Sequence, residues 1–424
     1  MHPLRHSSID LTIPMDVITQ VVLGSAAAQA AFGRRLPRSA WLIGGLAGYL
    51  PDADIFIQPP GDPLEGWFWH RHFTHGIGFV PLGALLVTLL FMLIPSLRRE
   101  KAAVFAAAGV GILTHAPLDA ATTFGTLIYW PFSLERISWD LVGIIDPLVT
   151  FPLMLGLIWS IKRSRSRATP RAIASTPESA SRAPRSIRTP AILAVAWAVF
   201  YIGVIGSIQH ARVMSVQAQL AQARGHVFSA DTPRRALPTP INLVLYRSVY
   251  VHNGRVYADQ IRVPFFGQPT VWTGSSTPLL TREDARTDGL TDAQLDYFEK
   301  WIWFSQNWVV RPSSLGDPVG TPRVYADARY GMVPNEFMSI FALELPSEEI
   351  PVVARLVRNI SLRTSRSGEL IDLILGRDTR LVPLAQALDA SRAEATPPEA
   401  TKGPTRGAPW RPLHIRSPIV AGPT

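Results

Sequence analysis

The chain has 424 residues, 47% of them apolar and 17% charged, a balance foreign to most soluble enzymes and suited to a membrane protein diluted by a polar portion. It contains no cysteine, which excludes a disulfide frame and a thiolate metal site, so any metal must be held by nitrogen and oxygen. The net charge of +9 gathers largely in one linker and a C-terminal tail rather than on a recognisable binding module, and this argues against nucleic acid as a partner.

In chain order, apolar stretches at 17–33, 39–57, 77–97, 102–118, 141–161 and 190–208 reach or approach the about 20 residues that a helix needs to cross a bilayer. Basic residues punctuate them: Arg34, Arg35 and Arg38, then Arg98, Arg99 and Lys101, then a cluster over 162–188. By the positive-inside rule these segments are cytoplasmic, which turns 58–76 and 119–140 outward. Residues 209–225 read as a polar juxtamembrane helix ending at Gly225. From about 240, alternating β-branched and aromatic segments such as INLVLYRSVYV and GRVYADQIRVPF read as strands, with a helical stretch at 282–310 that contributes Trp301, Trp303 and Trp308 to a core.

The expected fold is therefore mainly α. A polytopic helical membrane domain of about five or six transmembrane helices is followed by a small α+β extramembrane domain and a disordered tail. The expected divisions are a transmembrane metal-site domain at 1–161, a basic disordered linker at 162–189, a transmembrane plus juxtamembrane helix at 190–225, a β-rich extramembrane domain at 226–390 and a tail at 391–424.

The chemistry-bearing residues fall in clusters at the ends of these helices: Asp52 with Asp54, the run His70-Arg71-His72-Phe73-Thr74-His75, His115 with Asp119, and Asp146. Asp16, at the start of the first helix, falls at the same expected face. His115 and Asp119 are four apart and so share one helical face, where an imidazole and a carboxylate reach one ion. Pro51 disturbs the helix ahead of Asp52 and Asp54 and lets both point to one side. The candidate metal ligands are thus Asp16, Asp52, Asp54, His70, His75, His115, Asp119 and Asp146. Nitrogen with carboxylate oxygen suits Zn²⁺ first, with Mn²⁺ or Fe²⁺ as alternatives, as one ion or two. Whichever carboxylate the metal leaves unengaged would serve as general base, with Asp54 and Asp119 the catalytic candidates, and Arg71 would hold an anionic substrate group. The plainer readings stand beside these: Asp52 and Asp54 as caps, His70 and His75 as ordinary loop residues, Arg71 as a surface cation. Ionisable groups set in apolar helices are costly, and four clusters on one face favour the metal.

These clusters, in this order, resemble the membrane-bound metal-dependent hydrolases of the YdjM and YfhP type. The resemblance is carried by Met15 to Gln20, Pro51 to Asp54, His70 to His75, His115 to Asp119, Phe124-Gly125-Thr126, Trp130-Pro131-Phe132-Ser133 and Asp146-Pro147. Gln20 stands where many members carry His, and His72 replaces a Gly. The resemblance implies a multi-pass protein of the bacterial inner membrane, with hydrolase activity through a metal-activated water. A lipid or lipid-linked phosphoester is the expected substrate, with the lipid bilayer as the surrounding partner. The alternative is a metal-binding membrane protein or transporter without turnover. The polar residues crowd helix ends rather than the bilayer midplane, and no repeat is visible, which weighs against transport.

Overall fold

A computed structural model describes residues 15–56, 68–168, 187–312, 323–331, 337, 341–345, 355–358 and 367–395. Of the expected disordered linker at 162–189, residues 169–186 lie outside these residues and 162–168 are helical; of the expected tail at 391–424, residues 396–424 lie outside and 391–395 are helical. The chain forms two compact units: residues 1–53, 77–118 and 144–199 in one, residues 54–76, 119–143 and 200–424 in the other.

The first unit is helical. It holds α1 (Met15–Phe32), α2 (Ala40–Tyr49), α3 (Val80–Phe91), most of α4 (Lys101–Ala121), α5 (Pro147–Ala168) and the start of α6 (Thr189–Ala223). Small residues let these backbones meet closely, as is usual where helices pack without a hydrophobic drive from water. Ala28, Ala40, Ile43, Ala47, Ala84, Val104, Ala107 and Ala108 form the core, while Leu82, Leu85, Leu86 and Leu89 leave an apolar face of α3 exposed. Gly44 is the tightest point, since a Cβ there would lie 2.3 Å from both the Gly24 carbonyl oxygen and the Ala28 Cβ. Gly44→Ala is therefore expected to cost about 1–3 kcal/mol by overpacking, read as a lower melting temperature in detergent, whereas a wild-type melting curve would refute the close contact.

The expected five or six crossings are corrected here. Among the described residues, two helical stretches are long and apolar enough to span a membrane, Pro95–Ala121 and Thr189–Ala223. The other apolar segments fall short for local reasons. α2 has 10 residues, because Pro51 leads the chain into a 3-10 turn at Leu50–Phe56. α3 has 12 residues and ends before a second 3-10 turn that opens with Pro95. α5 runs 22 residues but carries Lys162 and Arg163 inside its length.

The second unit contains two antiparallel sheets. The larger has the order β1 (Arg234–Pro238), β2 (Leu245–His252), β3 (Arg255–Arg262), β4 (Thr270–Trp272) and β10 (Val382–Pro383), with β5 (Ser276–Pro278) pairing the other end of β3. The smaller has the order β6 (Val309–Val310), β7 (Arg323–Asp327), β8 (Phe341–Leu345) and β9 (Arg355–Arg358). β2 and β3 are joined by Asn253-Gly254, both at positive φ, the two-residue turn whose twist matches that of the strands. Two capped helices, α7 (Arg282–Thr287) and α8 (Asp292–Phe304), begin with Thr281 and Thr291 in reciprocal capping boxes. Trp301 is buried in an aromatic core with Trp303 packed against it, and Trp308 is buried in a second cluster with Val249, Val256 and Val310. The helices α9 (Ser367–Leu375) and α10 (Leu384–Ala395) complete the unit.

Within α6, residues Tyr201–Gly206 form a π-helical turn between two α-helical stretches. After it, Gln209, Val213, Val216, Gln217 and Leu220 are buried, a helical stripe that lies against the larger sheet.

Candidate metal centre

His115 sits near the end of α4 and is fully buried. Its Nδ1 lies 2.7 Å from the Gly48 carbonyl oxygen in α2. A carbonyl only accepts, so Nδ1 carries the proton, and Nε2 is the ring nitrogen left to offer a lone pair to a metal when the ring is neutral. Nε2 is 3.5 Å from Asp52 Oδ1. Two acceptors facing each other at that distance are what a shared cation joins, since tetrahedral ligands about 2.0–2.2 Å from a zinc-type ion stand about 3.3–3.6 Å apart. His75 supplies the third donor: one ligand atom each from Asp52, His75 and His115 lie within 4.8 Å of one another, and all three residues are buried. Two imidazoles and a carboxylate, the latter drawn from a turn that Pro51 opens, form a donor set that could bind a divalent ion.

The two carboxylates of the Pro51–Asp54 element divide their work. Asp52 faces His115, whereas Asp54 faces the histidine run. Asp54 accepts from His70 Nδ1 at 2.8 Å, from the Arg71 backbone N–H at 3.0 Å and from the Thr74 hydroxyl at 2.9 Å. It also lies 3.3 Å from His75 Nδ1. Burial opposes ionisation of Asp54, but hydrogen bonds from His70 and His75 outweigh it and hold the carboxyl well below the usual carboxylate range. With its lone pairs so engaged, Asp54 fastens the loop that delivers His75.

Arg71 adopts φ 61, a left-handed conformation uncommon for a residue with a Cβ. This turns its side chain inward: it is 3% exposed, so the surface-cation reading does not hold. Its guanidinium lies 3.3 Å from Asp119 Oδ1 and donates to the Thr122 hydroxyl, over the Phe124 ring. The other Asp119 oxygen lies 3.2 Å from His75 Nε2. Asp119 therefore touches the ligand group from the side.

Among the described residues, the other expected ligands do not join this group. Asp146 accepts the Leu148 N–H at 2.9 Å and starts α5 as a helix cap. Asp16 lies in α1, but its side chain is outside the described residues. His70 holds Asp54 and is not among the three clustered ligand residues. His72 is buried against Trp69 and Trp303, and burial with the nearby Arg136 charge lowers its pKa to about 4. Gln20 is fully buried and donates to the His115 carbonyl.

Sequence reasoning missed the supports of the site loops. Phe68 and Phe124 enter the aromatic core of the second unit beside Phe298, Trp301 and Phe304. Arg136 lies over the rings of Phe124, Trp303 and Phe304, and burial with the neighbouring Arg329 and Arg71 charges lowers its pKa to about 9. Arg235 pairs with Asp140, and Gln306 bonds the Arg136 carbonyl. The one available signal was the Asp327-Ala328-Arg329-Tyr330-Gly331 element, whose Arg329 bonds Gln306 at 2.6 Å.

Residues 15–212 match the YdjM inner membrane protein family. This stretch, a little under half of the chain, is similar to that family. The matching region contains Asp52, His75 and His115 and both helical stretches of membrane-crossing length begin within it, which together support a membrane location. Comparison with curated proteins and with solved structures gives no match.

Proposed function

We propose that the chain is a membrane-bound metal-dependent hydrolase acting on a phosphoester, with a lipid or lipid-linked phosphate as the substrate class. The observation that carries this reading is the buried Asp52–His75–His115 group, with His115 oriented by a backbone carbonyl so that its other ring nitrogen faces a carboxylate. A divalent ion held there, zinc first by donor type, would supply Lewis acidity to water and to a phosphoryl oxygen. Asp119 is the carboxylate placed to take a proton from water, because it touches His75 without belonging to the ligand triad. Arg71 holds Asp119 in place and contributes positive charge where a phosphoryl group would gather negative charge. Asp54 keeps the His70–His75 loop in its bonded shape.

The deciding experiment is elemental analysis of detergent-purified protein, followed by phosphomonoester and phosphodiester turnover before and after chelation. Bound divalent metal with turnover that vanishes on chelation and returns on readdition is expected. Protein that carries metal but hydrolyses no phosphoester would move the assignment to a metal-binding role without turnover, and protein that binds no divalent ion would remove it.

A further inference from the structure

We infer that the β-rich unit rests directly on the bilayer through two apolar turns, one at Ile241 and one at Phe265-Phe266, which dip into the lipid interface beside the exit of α6. The inference does not depend on the metal centre or on any hydrolytic activity.

α6 supplies the ruler. Its apolar run ends at Ile208, and up to that point the helix leaves apolar side chains uncovered: Phe200, Val204 and Ile208 are all exposed. From Gln209 onward the same helix is polar and covered by the sheet. The change from hydrocarbon-facing to protein-facing surface thus falls within one turn, about 5.4 Å of helix rise.

Both apolar turns are tied to that turn. The Gln209 side-chain amide donates to the carbonyls of Leu243 at 2.8 Å and Val263 at 2.9 Å. Arg212 donates to the Pro264 carbonyl at 2.9 Å and to the Gln209 amide oxygen. These bonds fix the 241–243 turn and the 263–266 turn at the level where the span leaves the membrane. What the turns then expose is apolar: Phe266 is 92% exposed, and Phe265 and Ile241 are exposed as well. Ile241 also sits at φ 78, a conformation that β-branched residues avoid. A strained isoleucine and a pair of bare phenylalanines at adjacent tips are poorly placed for water, and aromatic rings at this depth settle between headgroup and acyl chain. The occupant of this surface is the lipid bilayer itself, because the turns continue the exposed apolar surface of α6.

The native chain has no cysteine, so a single introduced thiol reports its own surroundings. F266C and I241C are each labelled with a nitroxide in the full-length protein, reconstituted in phosphatidylcholine nanodiscs. R255C serves as the reference: it is exposed at the far end of β3, about 23 Å along the strand from Arg262. The expected result is a nitroxide at 266 and at 241 that collides with oxygen several-fold more than with a water-soluble nickel chelate, and the reverse at 255. Free access of the nickel chelate to position 266 would overturn the inference. So would a label at 266 shielded from both reagents, which would mean that protein, from a second copy or another partner, covers the turn.

Discussion

His115→Ala protein, purified in detergent beside the wild type, is expected to lose its divalent metal. The wild type should carry about one ion per chain if a single zinc-type site is filled, and the variant less than about a tenth of that. Asp52→Ala should behave alike, since its carboxylate is the facing partner of His115 Nε2. Asp54→Asn tests a different role. Asp54 fastens the histidine loop through three donors, so its replacement should weaken metal affinity by about 10–100-fold without abolishing it. Titration of the apo-protein with Zn²⁺ separates the two patterns. A His115→Ala variant that binds metal as the wild type does would sink the triad.

Asp327→Ala is expected to give the largest loss of stability. Asp327 and Arg329 are buried, and their side chains meet in a two-pronged pair with distances of 2.9 Å and 2.6 Å. Removing the carboxylate strands a buried guanidinium, which costs about 3–5 kcal/mol. In a unit of this size that corresponds to a fall in melting temperature of about 10 °C or more. The double variant Asp327→Leu/Arg329→Met should recover most of it, because a buried ion pair exchanged for apolar groups of similar volume is often neutral. Recovery matters for the mechanism of the loss: if the double variant melts as low as the single one, packing rather than a stranded charge is at fault. The effect should also reach the metal loops. Arg329 bonds Gln306, and Gln306 bonds the Arg136 carbonyl in the segment that follows Asp119. Metal affinity in Asp327→Ala is accordingly expected to fall, although the substitution is remote in sequence from every ligand.

The residues that gather at the candidate metal centre were legible because chemistry at helix ends leaves a local trace. His115 and Asp119 announce their shared face by spacing, and Pro51 marks where α2 must stop. The segments INLVLYRSVYV and GRVYADQIRVPF, which pair as β2 and β3, were legible as strands by their alternation. The number of crossings was not. Apolar composition measures how much surface can leave water, not how far one helix runs, and Pro51 and Pro95 break apolar runs that a hydropathy window joins. The division of labour between Asp52 and Asp54 was also hidden, since it depends on which imidazole each carboxylate meets. Hidden for a third reason were the supports: Phe124 and Arg136 gain their packing from Trp303 and Phe304, more than 160 residues away, and no periodicity encodes such a distance.

The π turn at Tyr201–Gly206 has a mechanical corollary. A wider turn accommodates surplus backbone, so the angular phase of α6 below it is offset from the phase above. Ile208 and Gln209 both follow the turn, so the step from bare to covered surface between them is the ordinary amphipathy of that α-helical stretch, and what the turn sets is the bearing of the stretch relative to the residues before it. Excising one residue there, Val204 for instance, would let the rod relax to ordinary winding. Gln209 would keep its bearing, because the residue removed is the surplus that the wide turn had absorbed, and both tips would stay anchored to the Gln209 amide.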